Sequence, residues 1–331
     1  MRSGDMTLRH WGVQDCESLA ATFAKPYHKK YFAMYSSVLN GVVTNPFLMA
    51  VPIDDHMVHR GDGIFETFKC VDGRLYNFER HLDRLERSAR SLHLNLPFGR
   101  AEIATLVKET IRIGAARDCL IRLFVSRGPG GFTVNPYECP ESQLYIVICD
   151  LAVPTEAEYA RGVSIKSSSV PAKKPFFANV KSCNYLQNVL MKKEAVDAGV
   201  DYTITLDEEG FLGEGAAENI AVVGKDRVLK LPVFSRILRG TTVSRGLEMA
   251  QDLVKSNTIQ TISFEDIPLA EAYSGDEILI FGTSFDVVAA VSFDGQAVGT
   301  GKPGPVFAFL HERFQKDVRS NRAMQTPVFE E

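Results

Sequence analysis

The run Ile64-Phe65-Glu66-Thr67-Phe68-Lys69-Cys70 alternates in polarity up to Val71-Asp72-Gly73, and Arg74-Leu75-Tyr76-Asn77-Phe78 resumes the alternation. Period-2 patterning broken by Asp-Gly is a hairpin signal, because both central positions of a tight turn need positive φ. A second hairpin is predicted in Ser36–Val43, where Asn40-Gly41 sits between apolar runs. Strands this explicit exclude an all-helical bundle.

Helical spacing follows. Leu82, Leu85, Ala89 and Leu92 recur with charges between them, and Ile103, Leu106, Val107 and Ile111 do the same, so two amphipathic helices are predicted to cover the first sheet. Later come a strand at 163–170, a helix at 185–198 ending at Gly199, and a strand meander over 202–231. At 331 residues, such a mixture predicts two α/β or α+β domains around separate cores. We place an N-terminal extension at 1–34, a small domain at 35–152 and a larger one at 153–331, divided at the polar stretch 153–158. A site between them is expected.

Composition removes several classes of function. A net charge of −4 with no long basic run lacks the footprint of a nucleic-acid binder. The apolar run Leu144–Cys149 ends far short of the roughly 20 residues a membrane helix needs. Six cysteines without a CxxC pair argue against a zinc site or a disulfide framework, and are expected to be reduced and mostly buried. Met1–Asp5 lacks the apolar core of a secretory signal, so a cytoplasmic address is expected. Small-molecule partners remain.

Four segments, in this order, carry the chemistry: Phe78-Glu79-Arg80-His81-Leu82-Asp83-Arg84-Leu85, Asn179-Val180-Lys181-Ser182-Cys183-Asn184-Tyr185-Leu186, Gly213-Glu214-Gly215-Ala216-Ala217-Glu218-Asn219-Ile220 and Ile237-Leu238-Arg239-Gly240-Thr241-Thr242. Together they resemble the class IV (fold type IV) aminotransferases, which include branched-chain and D-amino-acid aminotransferases and aminodeoxychorismate lyase. The resemblance runs from about Met34 to Phe314 and implies a small α/β domain, a larger pseudo-barrel domain, and pyridoxal 5′-phosphate between them.

It also implies roles. Lys181 would carry the cofactor as a Schiff base and shuttle protons, since a desolvated lysine can be nucleophile and base. Glu214 would hold the pyridine nitrogen protonated, with Glu218 structural. Arg84 and the helix start at Thr241-Thr242 would take the phosphate. Tyr185 would contact the phenolic oxygen, or else pack in the core. Thr283 and Ser284, in Gly282-Thr283-Ser284, match a turn whose amides help bind the substrate carboxylate.

Substrate residues are less uniform. Phe65 stands as a pocket wall where a bacillar D-amino-acid enzyme has a carboxylate-binding tyrosine, and the loop 128–135 has Phe132 and Val134 in place of that enzyme's arginine and histidine. Arg122 matches a branched-chain arginine, though Leu120 replaces the neighbouring tyrosine. Arg60 either grips a carboxylate bidentately or makes a structural ion pair. The overall likeness, including Pro52–Gly61, is to plant D-amino-acid aminotransferase-like proteins. Expected activities are transamination between an amino acid or amine and a 2-keto acid, the lyase reaction releasing pyruvate, or a silent cofactor-binding paralogue. Stereochemical preference stays open, and a homodimer is expected in which the hairpin near Met34–Phe47 reaches the partner's pocket.

Overall fold

In the computed structural model, which describes residues 9–329, the strands form two sheets, each with its own core. The first sheet is wholly antiparallel, ordered Gln325–Pro327, Arg74–Tyr76, Gly63–Val71, Cys119–Ser126, Gln143–Cys149, Tyr31–Ser36, Gly41–Val43. Helices Phe78–Ser91 and Arg100–Ile113 contribute Leu82, Leu85, Ile103 and Ile111 to its core, as their spacing predicts. The second sheet has nine strands and mixes parallel and antiparallel pairs, with Asn219–Val223, Glu277–Gly282 and Asp286–Phe293 at its centre. Helices Thr241–Lys255 and Pro305–Ser320 close its core.

The turns differ from each other as their backbones dictate. Asp72 and Gly73 both have positive φ (52° and 74°) and Val71 pairs with Arg74, so this is the two-residue turn its sequence signals. At the other hairpin Ser36 pairs with Gly41, leaving a four-residue turn in which Asn40 alone is left-handed and Gly41 already begins the strand. An Asn-Gly step therefore marks this hairpin without being its turn.

The expected boundaries need correcting at both ends. The first sheet starts at Tyr31, inside the stretch assigned to the extension, and its edge strand comes from Gln325–Pro327, inside the stretch assigned to the second domain. Val328 joins the first core. Of the extension, helix Cys16–Phe23 buries none of its residues. Residues 1–5, on which the cytoplasmic expectation rests, lie outside the described residues.

Strand Gly63–Val71 does most to position the site. Its pattern alternates, yet nearly every residue is buried, because both faces are covered. Ile64, Phe68 and Cys70 enter the first core beside Glu66, while Phe65, Thr67 and Lys69 turn the other way, toward the second domain.

Candidate active site

Lys181 is docked onto that strand. Its carbonyl accepts the Phe65 N–H at 3.0 Å, Gly63 accepts the Cys183 N–H at 2.8 Å, and Val180 is anchored in the first core. These contacts place Nζ 4.5 Å from the centre of the Phe65 ring. Among the described residues the amine has no hydrogen-bond acceptor and no carboxylate partner, although Lys181 is 9% exposed. Burial, and then the nearby Arg84 charge, lower its pKa from 10.5 to about 8. A buried, unpartnered amine that is readily neutral is poised for covalent chemistry.

Glu214 lies on the strand Leu212–Gly215, whose neighbour Thr205 bonds its backbone N–H and carbonyl through one hydroxyl, at 3.1 Å each. Its side chain accepts a single protein donor among the described residues, the Leu238 N–H at 3.0 Å. Burial pushes its pKa up to about 7, against the pull of Lys173. A carboxylate in this state gains from a cationic N–H donor beside it. Glu218 accepts the Ala217 N–H at 2.9 Å and is likewise raised by burial.

Arg84 is held from behind. Its Nε and Nη2 bond the two oxygens of Glu66, each at 2.7 Å, leaving Nη1, among the described residues, with only a long 3.4 Å contact to the Arg239 carbonyl. Glu66 also meets His81 Nδ1 at 2.7 Å, and His81 Nε2 meets the Thr241 hydroxyl at 3.1 Å. Because Glu66 is ionised and only accepts, Nδ1 carries the imidazole proton and Nε2 accepts from Thr241. The Thr241 hydroxyl proton is thereby committed, and its backbone N–H remains for an anion.

That N–H stands at the start of helix Thr241–Lys255, whose N-cap Gly240 offers no side-chain cap. A Cβ on Gly240 would fall 2.0 Å from Asn219 Oδ1, so only glycine lets the helix start approach so closely. First-turn N–H groups with no side-chain cap, beside the Nη1 arm of Arg84, make a phosphate site.

Arg84, Lys181, Tyr185, Glu214, Thr241, Thr242 and Thr283 all line one cavity between the two sheets. Against it lies a chamber of about 420 Å³ that shares Lys181, Tyr185 and Thr283 and adds Phe65, Arg122 and Ser284. Thus the structure brings together every residue singled out in the sequence except Arg60. The Arg60 guanidinium bonds the carbonyls of His59, Phe132 and Thr133 and lines neither cavity, so within one chain it ties down the 128–134 loop. Among the described residues, neither a carboxylate contact nor an ion pair is found there.

Sequence reasoning missed Lys173, Asn188, Glu66 and His81. Lys173 lines the first cavity with Nζ 5.1 Å from the centre of the Tyr185 ring, and burial lowers its pKa. Asn188 Oδ1 is buried there without a partner. Two of them stand beside a signal: Glu66 adjoins Phe65, and His81 lies in the segment that carries Arg84.

The residues fit pyridoxal 5′-phosphate group by group: an unpartnered amine for the aldehyde, a carboxylate short of donors for the ring nitrogen, and an uncapped helix start with an arginine arm for the phosphate. A two-sheet fold with that set between its halves defines a pyridoxal-phosphate enzyme of fold type IV. The chain belongs to the class IV aminotransferases, whose family model, described as Amino-transferase class IV, matches residues 63–293.

Relatives agree. The chain is 36% identical over 293 residues to a D-amino-acid transaminase, chloroplastic, of Arabidopsis thaliana, covering 88% of this chain and 78% of that one. It is 34% identical to a putative branched-chain-amino-acid aminotransferase of Methanocaldococcus jannaschii, covering 85% and 96%. Among solved structures, a T.th. branched-chain amino acid aminotransferase with pyridoxamine 5′-phosphate superposes with a TM-score of 0.83 at 25% identity, covering 91% and 99%. The protein is a pyridoxal-phosphate-dependent transaminase. No described helix is long and apolar enough to cross a membrane.

Proposed function

We propose that this transaminase takes the amino group of an amino acid with a compact apolar side chain, a D-amino acid first of all, and passes it to a 2-keto acid. One observation carries the reading: the chamber opening onto Lys181 is walled by Phe65, Leu120, Phe124 and Phe285, with Arg122 as the one cation besides Lys181 among its described lining residues. The plant relative's name, at 36% identity, supports the D configuration.

Bound pyridoxal phosphate supplies an electron sink for the pair left on the substrate Cα when its proton departs. The chain's residues do the rest. Lys181 Nζ would hold the cofactor through its aldehyde and, once a substrate amine had taken that place, would be free to take the Cα proton and deliver it on the cofactor side. Glu214 keeps the ring nitrogen protonated through a charge-assisted hydrogen bond. Arg84 Nη1 and the first N–H groups of helix Thr241–Lys255 fix the phosphate. Tyr185, its phenol pushed up by burial, stays neutral and donates to the phenolic oxygen. The Phe65 ring keeps water from the amine, and the Thr283 and Ser284 amides take the substrate carboxylate.

We also place the chain in a homodimer, which the exposed Val38, Leu39, Phe132 and Val134 support. Six unpaired cysteines, three of them buried, fit a reducing compartment such as the cytoplasm.

The test is an absorption band near roughly 410–420 nm in the loaded protein, bleached by amino donors. D-Alanine, L-leucine and (R)-1-phenylethylamine are compared, with pyruvate release from aminodeoxychorismate assayed alongside. Bleaching by D-alanine ahead of L-leucine is expected. L-leucine preferred would overturn the configuration, and pyruvate release without amino transfer would replace the reading with the lyase one.

A further inference from the structure

Phe65, Thr67 and Lys69 share one face of strand Gly63–Val71. The first two line the substrate chamber and the third does not. Instead the Lys69 ammonium, on a residue 4% exposed, sits 2.7 Å from both carboxylate oxygens of Asp286 in the second domain. Its other neighbour is the Tyr76 ring at 5.7 Å, whose hydroxyl donates to Asp317.

Asp286 closes a hairpin. It pairs with Gly282, so Thr283, Ser284 and Phe285 form the whole connection, and all three line the chamber. Asp286 has a φ of 62°, a left-handed backbone uncommon outside glycine, and it begins the strand there with its side chain committed to Lys69. A second tie runs from the Tyr159 hydroxyl to the Phe285 carbonyl at 2.9 Å. Among the described residues, neither the Thr283 nor the Ser284 N–H has a protein acceptor outside the strand ladder. The turn is thus braced at its far end while its donors stay free.

We propose that the Lys69–Asp286 ion pair sets the Thr283–Ser284 amides where the substrate carboxylate binds, which makes Lys69 a positioning residue for a substrate it never touches. The inference rests on the function proposed above, and it gives one strand face three tasks in sequence: a wall against the amine, a wall of the chamber, and a brace on the turn. A positional role has a signature that a charge effect lacks. Lys69→Met leaves Asp286 to repel a carboxylate, whereas Asp286→Asn leaves Lys69 to attract one. If only the field mattered, the two would act in opposite directions; if position matters, both weaken binding.

The probe is 4-methylvaleric acid, a carboxylate with no amino group, titrated calorimetrically into the loaded enzyme. Lys69→Met and Asp286→Asn are each expected to weaken it about tenfold or more, to raise KM for the amino donor alike, and to hold kcat within about threefold. Cofactor affinity should not move, and Lys69→Arg should restore most of the binding. The double variant Lys69→Met/Asp286→Asn removes both charges, so a single variant that fails to fold does not end the test; it too should bind weakly. If the wild type binds no carboxylate, the substrate reading fails and takes the inference with it. If the wild type binds and the variants bind equally well, or shift in opposite directions, the reading stands and the inference is overturned.

Discussion

Glu66 grips Arg84 through two hydrogen bonds of 2.7 Å each, and the same carboxylate meets His81 at 2.7 Å. One buried anion thereby orients both the arginine arm and the imidazole that engages Thr241, the two sides of the phosphate site. The cofactor's anchor is built from behind before any ligand arrives.

Removing that anion should be costly twice over. Glu66→Ala strands a buried guanidinium, a loss of about 3–5 kcal/mol for a broken buried pair. We expect a lower Tm by calorimetry and weaker cofactor binding by absorbance titration. Burial alone would raise the Glu66 carboxyl, but Arg84 and His81 outweigh it and hold it at about 2, below its ordinary 4.5. A depressed carboxyl stabilises above its unfolded value, so this contribution is full above pH 4.5 and fades as pH falls toward 2. In Glu66→Gln, that part of the acid-unfolding curve should flatten; an unchanged curve would remove the carboxylate from this role.

For Lys181 the shift is downward and the sign runs the other way. With a pKa of about 8 in the unloaded protein, the amine is half neutral at that pH and approaches saturation about one to two units above it. Stopped-flow capture of cofactor by the unloaded protein should accelerate with pH and level off above about 8. Borohydride reduction should then fix the cofactor's mass on Lys181 in the wild type and on nothing in Lys181→Ala. A capture rate that kept climbing with pH toward 10.5, with no bend above about 8, would contradict the lowered pKa.

Glu214→Gln keeps the shape and removes the charge. A charge-assisted hydrogen bond worth about 1.5–3 kcal/mol predicts a kcat lower by roughly ten- to hundredfold, with the cofactor still bound. Steady-state kinetics on the loaded variant read this directly, and a kcat within about twofold of wild type would deny Glu214 its part.

Arg122 is exposed at the chamber, where it can meet the second carboxylate of a dicarboxylic acceptor. Arg122→Leu should raise KM for 2-oxoglutarate about tenfold while leaving KM for pyruvate nearly unchanged. Equal effects on both acceptors would show that it serves the shared α-carboxylate instead.

Much of the framework is legible because it is local. The Asp72-Gly73 turn declares itself through two positive φ values, and the helix at 78–91 through its apolar spacing. Lys181, Glu214 and Thr241-Thr242 stand in segments whose order betrays them, and the fold gathers them. Lys173 cannot be read: beside Lys174 it looks like half of a solvated pair, and only the path of the chain turns one of the two into the cavity. Arg60 misleads for the converse reason. A cation near a site looks like a ligand for substrate until the carbonyls of a loop 72 residues on are seen to occupy it. Asn40-Gly41 shows the same limit at smaller scale, since strand pairing, not the dipeptide, decides where the turn falls.

The strand Gln325–Pro327 pairs with Arg74–Tyr76 at the edge of the first sheet. During synthesis, then, the edge at residues 74–76 must wait, with unpaired backbone groups, until about 250 further residues have emerged. The small domain cannot be finished on the ribosome ahead of the large one. A chain halted before Gln325 would retain every residue of the active site and still present an open strand to its neighbours, so premature termination should show itself first as aggregation rather than as lost chemistry.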